Sequence, residues 1–393
     1  MQLAAIQNSL TAASLSGWLF YDFRGSDPLG LRILGLNQSH ATRRWFYYLP
    51  AVGTPRKLCH AIEPAALDSL PGEKSIYRQF SELQKILGEF LKDQKRVAMQ
   101  YSPLGAIPYL SRVDAGTIEL VRLLGCEVVS SGDLVQRFEA LLDAAELASH
   151  RRAADGLRAV VDETFAEVAR RLREKTAANE CDIQDFMMAR FAAKNLETDF
   201  PPIVAINEHA ADPHYGPTRK TAANFAPNQL LLIDLWAKEK KPGAVYSDIT
   251  WTTWTGPGPI PAELRAIAEA VIAGRDAGVE RARKAARGSG PVSGGAVDDA
   301  VRDTIRERGF ADFFIHRTGH SIKQEVHAAG ANIDNFENPD SRTLLPGSLF
   351  SIEPGVYIPG KWGIRSEIDV YFGAKDVEIT GLPVQTELRS LLA

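Results

Sequence analysis

The stretch QLLLIDLWAKEKKPGAVYSDITWTTW, Gln229 to Trp254, decides how the rest of the chain is read. Its first half is a strongly apolar strand with Asp234 in the middle. Its second half alternates apolar and polar residues and carries Asp248. Between them KEKKPGA is charged and contains Pro242-Gly243, a turn signal. Two strands joined by a turn pair antiparallel, and opposite residues then share a midpoint. The midpoint of 234 and 248 is residue 241, next to Pro-Gly. This reading places the two aspartates opposite one another, with Cβ atoms about 5 Å apart.

The same arithmetic applies further on. SLFSIEPGVYI carries Glu353 and GIRSEIDVYF carries Glu367, with their midpoint at Gly360 in IPGKWG. Both acidic pairs are 14 residues apart. Like charges facing each other destabilise a sheet, and acids in apolar strands resist ionisation. Two such pairs call for a compensating cation. Clustered hard oxygen ligands suit divalent metals, and bridging carboxylates suit two of them. The competing reading is four solvent-exposed acids on edge strands.

HRTGHSIKQEVH holds His316, His320 and His327. His316 and His320 have helical i, i+4 spacing, but Gly319 and the β-rich surroundings argue against a helix. Each histidine alone reads as readily as a satisfied polar residue. His214 lies in ADPHYGP, a turn-rich loop where simple exposure is the plain reading.

Outward from these segments, 393 residues exceed one typical domain. A 45% hydrophobic, 24% charged composition excludes a disordered or fibrous chain. A net charge of −4 offers no broad basic face, which argues against nucleic acid as the main partner. No apolar run approaches membrane-spanning length. The N-terminal stretch lacks both a basic n-region and a long apolar h-region, so no secretory leader is expected. Three cysteines without CxxC spacing fit free thiols, and the expected location is the cytoplasm.

Residues 1–133 read as an α/β domain. Its strand candidates are SGWLFYDF, RRWFYYLP, KRVAMQYS and CEVVSS, and TIELVRLLG forms a helix. Residues 134–393 form the second domain. They are helical to about Lys194, then rich in strands around a helix at Ala262 to Ala286. GSGPVSGG, Gly288 to Gly295, imitates a phosphate loop but follows a helix and lacks a GK[ST] ending. It reads as a helix–helix connection.

Taken together, the Asp234/Asp248 hairpin, HRTGHSIKQEVH, SIEPGVYI and GIRSEIDV resemble, in order, the motifs of the pita-bread metallopeptidases. That group includes prolidase, Xaa-Pro aminopeptidase, methionine aminopeptidase and creatinase. The resemblance runs from about Leu134 to the C-terminus, with a weaker likeness of the N-terminal part to the creatinase-type N-domain. It implies an α+β pita-bread catalytic domain preceded by a smaller α/β domain. The implied metal ligands are Asp234, Asp248, His320, Glu353 and Glu367, with Asp248 and Glu367 shared between two ions. His327 and His214 match the family's two non-ligand active-site histidines.

The implied activity is that of an Xaa-Pro dipeptidase, in which a metal-bridging hydroxide attacks the bond before proline and Glu353 shuttles the proton. The oxygen-rich donor set favours Mn(II), with Co(II) or Zn(II) as substitutes. Thr250 and Arg365, each two residues from a ligand on the same strand face, are expected to orient Asp248 and Glu367. Arg342 is the candidate for the substrate carboxylate, and Tyr215 for a wall of the proline pocket. Small peptides are the expected partners, and a homodimer is the family expectation, though no stretch of the chain marks an interface. Ser321 and Lys323 stand where the family often has glycine. The alternative activity is Xaa-Pro aminopeptidase action on longer peptides. A metal-free creatinase-like hydrolase is disfavoured by the filled ligand positions, and a non-catalytic binding module would carry no stoichiometric metal.

Overall fold

The computed structural model describes residues 2–36 and 41–392. The chain divides into two compact units, Met1–Glu139 and Ala140–Ala393. The division falls a few residues beyond the expected limit at 133, because a short helix and the turn after it stay with the first unit.

Among the described residues, the first unit is built on a six-stranded sheet of order β4-β3-β2-β1-β5-β6. Its strands are β1 (Gly17–Asp22), β2 (Trp45–Pro50), β3 (Arg56–His60), β4 (Glu73–Tyr77), β5 (Arg96–Met99) and β6 (Glu127–Ser130). Helices α1 (Leu3–Ala12), α2 (Pro28–Leu34), α3 (Phe80–Leu91), α4 (Ala115–Leu123) and α5 (Gly132–Val135) accompany it. The four expected strands are β1, β2, β5 and β6, and the expected helix is α4. Leu83, Leu87 and Phe90 of α3 and Ile118 and Val121 of α4 bury against Leu19, Phe46 and Val97 of the sheet.

In the second unit, α6 (Ala144–Glu174) opens with a reciprocal capping pair, Asp143 and Glu146, and α7 (Glu180–Ala193) with Asn179 and Asp182. Next come β7 (Leu196–Glu197), β8 (Ile203–Ile206), β9 (Leu230–Glu239) and β10 (Ser247–Trp254). Strand β9 pairs with β7, β8 and β10. Side chains alternate across this sheet. Ile233, Leu235 and Ile249 join Leu157, Val160 and Val161 of α6 in one apolar cluster. Asp234 and Asp248 therefore emerge on the opposite face.

Helices α8 (Ala262–Lys284) and α9 (Gly294–Glu307) follow, and the expected Gly288–Gly295 segment joins them, its last two glycines opening α9. Strands β11 (Ser348–Ile352), β12 (Gly355–Ile358), β13 (Trp362–Arg365), β14 (Ile368–Phe372) and β15 (Val377–Ile379) complete the unit. Ile267 and Val271 of α8 pack against Val356 and Ile364.

Candidate metal centre

The aspartate hairpin is offset from the expected pairing. Ser247 pairs with Ala237, so the ladder centres on Pro242, not on residue 241. Asp234 consequently faces Thr250, and Asp248 faces Trp236. The turn passes through Gly243 at φ 74°, a conformation that favours glycine. All four residues share one face, so the aspartates are diagonal neighbours.

The glutamate ribbon keeps its expected centre at Gly360. Gly355 pairs with Arg365 in β12–β13, and Ile352 with Ile368 in β11–β14, both in the same register. The ladder breaks between these pairs, because Pro354 has no N–H to donate. The freed donors turn elsewhere: Glu353 N–H reaches Thr318 O at 2.7 Å, and Glu367 N–H reaches Thr250 O at 3.3 Å. The break thus points both glutamates away from their own ribbon and joins it to β10 and to the histidine segment.

That segment is extended, which removes the helical zinc-pair reading. His320 and Ser351 exchange backbone and hydroxyl hydrogen bonds along β11. A Cβ on Gly319 would lie 2.0 Å from Ser351 O, so only glycine allows this approach. His316 turns aside, bonded to the Tyr357 hydroxyl at 2.8 Å.

Asp248, His320 and Glu367 each offer a ligand atom within 4.8 Å of the others. His320 Nε2 lies 3.5 Å from Asp248 Oδ2 and 3.4 Å from Glu353 Oε1. Asp234 is paired through Oδ2 with Arg365. Its Oδ1, Asp248 Oδ1 and Glu367 Oε1 are buried without any hydrogen-bond partner. Burial, then repulsion from neighbouring acids, holds the Asp248 and Glu367 carboxyls well above the usual carboxylate range. Burial likewise pushes Glu353 up to about 7. Burial, reinforced by His327, keeps His320 well below the usual imidazole range and therefore neutral, as a ligand must be. Three unpartnered carboxylate oxygens beside a neutral imidazole form a donor set short of positive charge, and divalent cations fit it.

The supporting residues differ in part from expectation. Thr250 donates to Glu367 Oε2 at 2.8 Å. Arg365 supports Asp234 rather than Asp248, and also reaches Thr250 Oγ1 and the Tyr357 hydroxyl, each at 3.0 Å. Asp248 is instead steadied by Asp369, which accepts its backbone N–H at 3.0 Å and the Ser247 hydroxyl at 2.6 Å. Asp369 was missed by sequence reading, although Arg365, Glu367 and Asp369 alternate onto one face.

His327 packs edge-on against His320 with ring centroids 4.3 Å apart. Burial, then the charges of Arg317 and His214, lower its pKa to about 4, so it is neutral near pH 7. His214 is exposed, its backbone N–H donating to Asp212 Oδ1 at 3.0 Å, and it directly follows Pro213, whose carbonyl accepts from Arg365 Nη1.

Two residues expected at the substrate have other partners in the structure. The buried Arg342 guanidinium is spent on its own loop: on both Asp340 oxygens, Ala329 O at 2.8 Å and Gly330 O at 2.6 Å. Tyr215 is pinned by a 2.7 Å hydrogen bond to Glu180 and stacks on His209, which is a packing role. The Lys323 ammonium contacts Leu141 O at 3.2 Å and Glu146 at 3.4 Å.

Residues 148–374 match the model of metallopeptidase family M24. The chain belongs to this family of pita-bread metallopeptidases. A probable dipeptidase PepE of Mycobacterium tuberculosis H37Rv is 28% identical over 327 residues, covering 81% of this chain and 78% of the relative. A Xaa-Pro dipeptidase of Lactobacillus delbrueckii subsp. lactis is 33% identical over 173 residues, 44% of this chain and 42% of that one. The crystal structure of dipeptidase PepE from Mycobacterium ulcerans superposes with TM-score 0.69 at 24% identity, covering 99% and 96% of the two chains.

Proposed function

We propose that this metallopeptidase is an Xaa-Pro dipeptidase holding two divalent ions through Asp234, Asp248, His320, Glu353 and Glu367. The observation that carries it is the convergence of acids from two hairpins with buried, unpartnered oxygens. Bound ions would polarise the scissile carbonyl and make hydroxide accessible near neutral pH. The oxygen-rich set favours Mn(II), with Co(II) or Zn(II) as substitutes.

The chain's own residues do the rest. Glu353 accepts the proton of the attacking water and delivers it to the prolyl nitrogen, which must be protonated to leave. Neutral His327 donates an N–H to the carbonyl oxygen as negative charge develops there, with His214 beside it. Arg365 and Thr250 hold Asp234 and Glu367 in place before substrate arrives. A cytoplasmic homodimer completes the reading. Among the described residues, no helix is long and apolar enough to cross a membrane.

The engagement of Arg342 within its loop favours a second reading, cleavage of longer Xaa-Pro peptides, because the expected carboxylate anchor is otherwise occupied. A hydrolysis panel of Xaa-Pro dipeptides and Xaa-Pro-Xaa tripeptides with Mn(II), Co(II), Zn(II) or chelator separates them. Metal-dependent cleavage of dipeptides alone supports the dipeptidase. Cleavage of tripeptides alone replaces it with the aminopeptidase. No stoichiometric metal and no cleavage overturns both.

A further inference from the structure

Glu180, the first residue of α7, is a carboxylate with no exposure to solvent. Asn179 already caps this helix, so the end of α7 does not account for it. Glu180 instead collects four donors from the segment 206–223. Two are the backbone N–H groups of Ile206 and Ala223, both at 2.8 Å. The others are the Tyr215 hydroxyl at 2.7 Å and His209 Nδ1 at 2.9 Å. Both ends and the middle of the segment are thus tied to one charge. Arg219 adds ion pairs to Asp182 and Asp185 on the same helix.

The far side of the segment faces the metal centre. The Ala210 carbonyl sits where a Cβ on Gly363 would lie 1.6 Å away, so β13 admits the loop only because residue 363 is glycine. Pro213 O accepts from Arg365 Nη1 at 3.3 Å. His214 follows directly, and residues 211–220 are half-buried or exposed, with no core of their own. A loop of this kind takes its order from its anchors, and a buried carboxylate is stable only where donors satisfy it.

We propose that Glu180 is a positioning residue: its four-way anchorage of the 206–223 loop fixes His214 beside His327 and the scissile bond. This rests on the role given to His214 above.

The test compares Mn(II)-loaded wild type with Glu180→Gln, Tyr215→Phe, His214→Ala and the two doubles carrying His214→Ala. Glutamine turns one acceptor oxygen into a donor facing other donors. Metal content should stay at the wild-type level while trypsin cuts after Arg219 and Lys220 faster than in wild type. For E180Q, kcat on the best Xaa-Pro peptide should fall about 30–100-fold with KM changed less than about threefold, as expected for a misplaced group. Y215F should lose activity in the same sense but less. Each double should be no slower than H214A alone, because both changes remove the same interaction.

Should E180Q fail to fold, Y215F carries the same comparisons without burying an uncompensated group. Losses that multiply in the doubles, or a loop as protected as in wild type, overturn the proposal while leaving an inactive H214A as evidence for His214. Full activity in H214A overturns both the role of His214 and this proposal.

Discussion

The hydroxyl of Thr250 donates to Oε2 of Glu367 at 2.8 Å, across the junction between β10 and the glutamate ribbon. The Thr250 hydroxyl oxygen in turn accepts from Arg365 Nε at 3.0 Å. Thr250→Val preserves the shape but leaves a carboxylate and a guanidinium each one partner short. Metal affinity should fall about 10–100-fold, and stability by about 1–3 kcal/mol. Calorimetric titration of metal into the apo protein measures the first; unchanged affinity would show that Glu367 needs no such support.

His327→Ala should retain metal while kcat falls about 10²–10⁴-fold, the range for a lost proton-handling group. Asp248→Asn should lose metal and activity together. Elemental analysis beside single-turnover kinetics distinguishes the two. Metal loss in H327A would merge roles that are kept separate here.

Arg342→Met breaks a buried pair with Asp340. The expected cost is about 3–5 kcal/mol of stability, with the dipeptide-to-tripeptide preference of the surviving enzyme unchanged. Denaturant melts and the peptide panel read these separately. A changed preference at wild-type stability would return Arg342 to the substrate site.

His150 of α6 is fully buried, with Nδ1 bonded to Tyr246 O and Nε2 to the Thr380 hydroxyl, each at 2.7 Å. Burial lowers its pKa to about 4. The folded protein therefore disfavours the charged form more than the unfolded chain does. Its contribution is fully present above about pH 6.5 and is lost as pH falls toward 4, on the order of 3 kcal/mol. His150→Gln should unfold with a shallower loss of stability between pH 7 and pH 4.5. An acid slope identical to wild type would assign that loss to other groups.

Much of this architecture was legible in the sequence, for reasons that differ by residue. The glutamate ribbon was read in register because its turn is short and Gly360 marks its centre. The aspartate ribbon was misplaced because a longer, charged turn let the ladder centre on Pro242, and an index shift of one moves opposite partners by two. The four acid positions could be picked out because acids in apolar strands are conspicuous, whereas only the family resemblance singled out His320 from its neighbouring histidines. Arg342 and Tyr215 misled because residue type reveals what a side chain can bind, not what its own loop already supplies. The partners of Glu180 and Asp369 carried no local signal, since their donors come from residues 26–43 and 121–122 positions away.

The gap at Pro354 and Ser366 makes chain length there as restrictive as side-chain identity. The outer ladder begins at Ile368, the inner one ends at Arg365, and only Ser366 and Glu367 lie between them. One insertion at that point would turn Arg365 to the opposite face, parting it from Asp234 while every proposed ligand stayed in place. Natural or engineered variants of this protein should therefore tolerate extra residues in the tip around Gly360 and reject them six residues away, at Pro354 and Ser366.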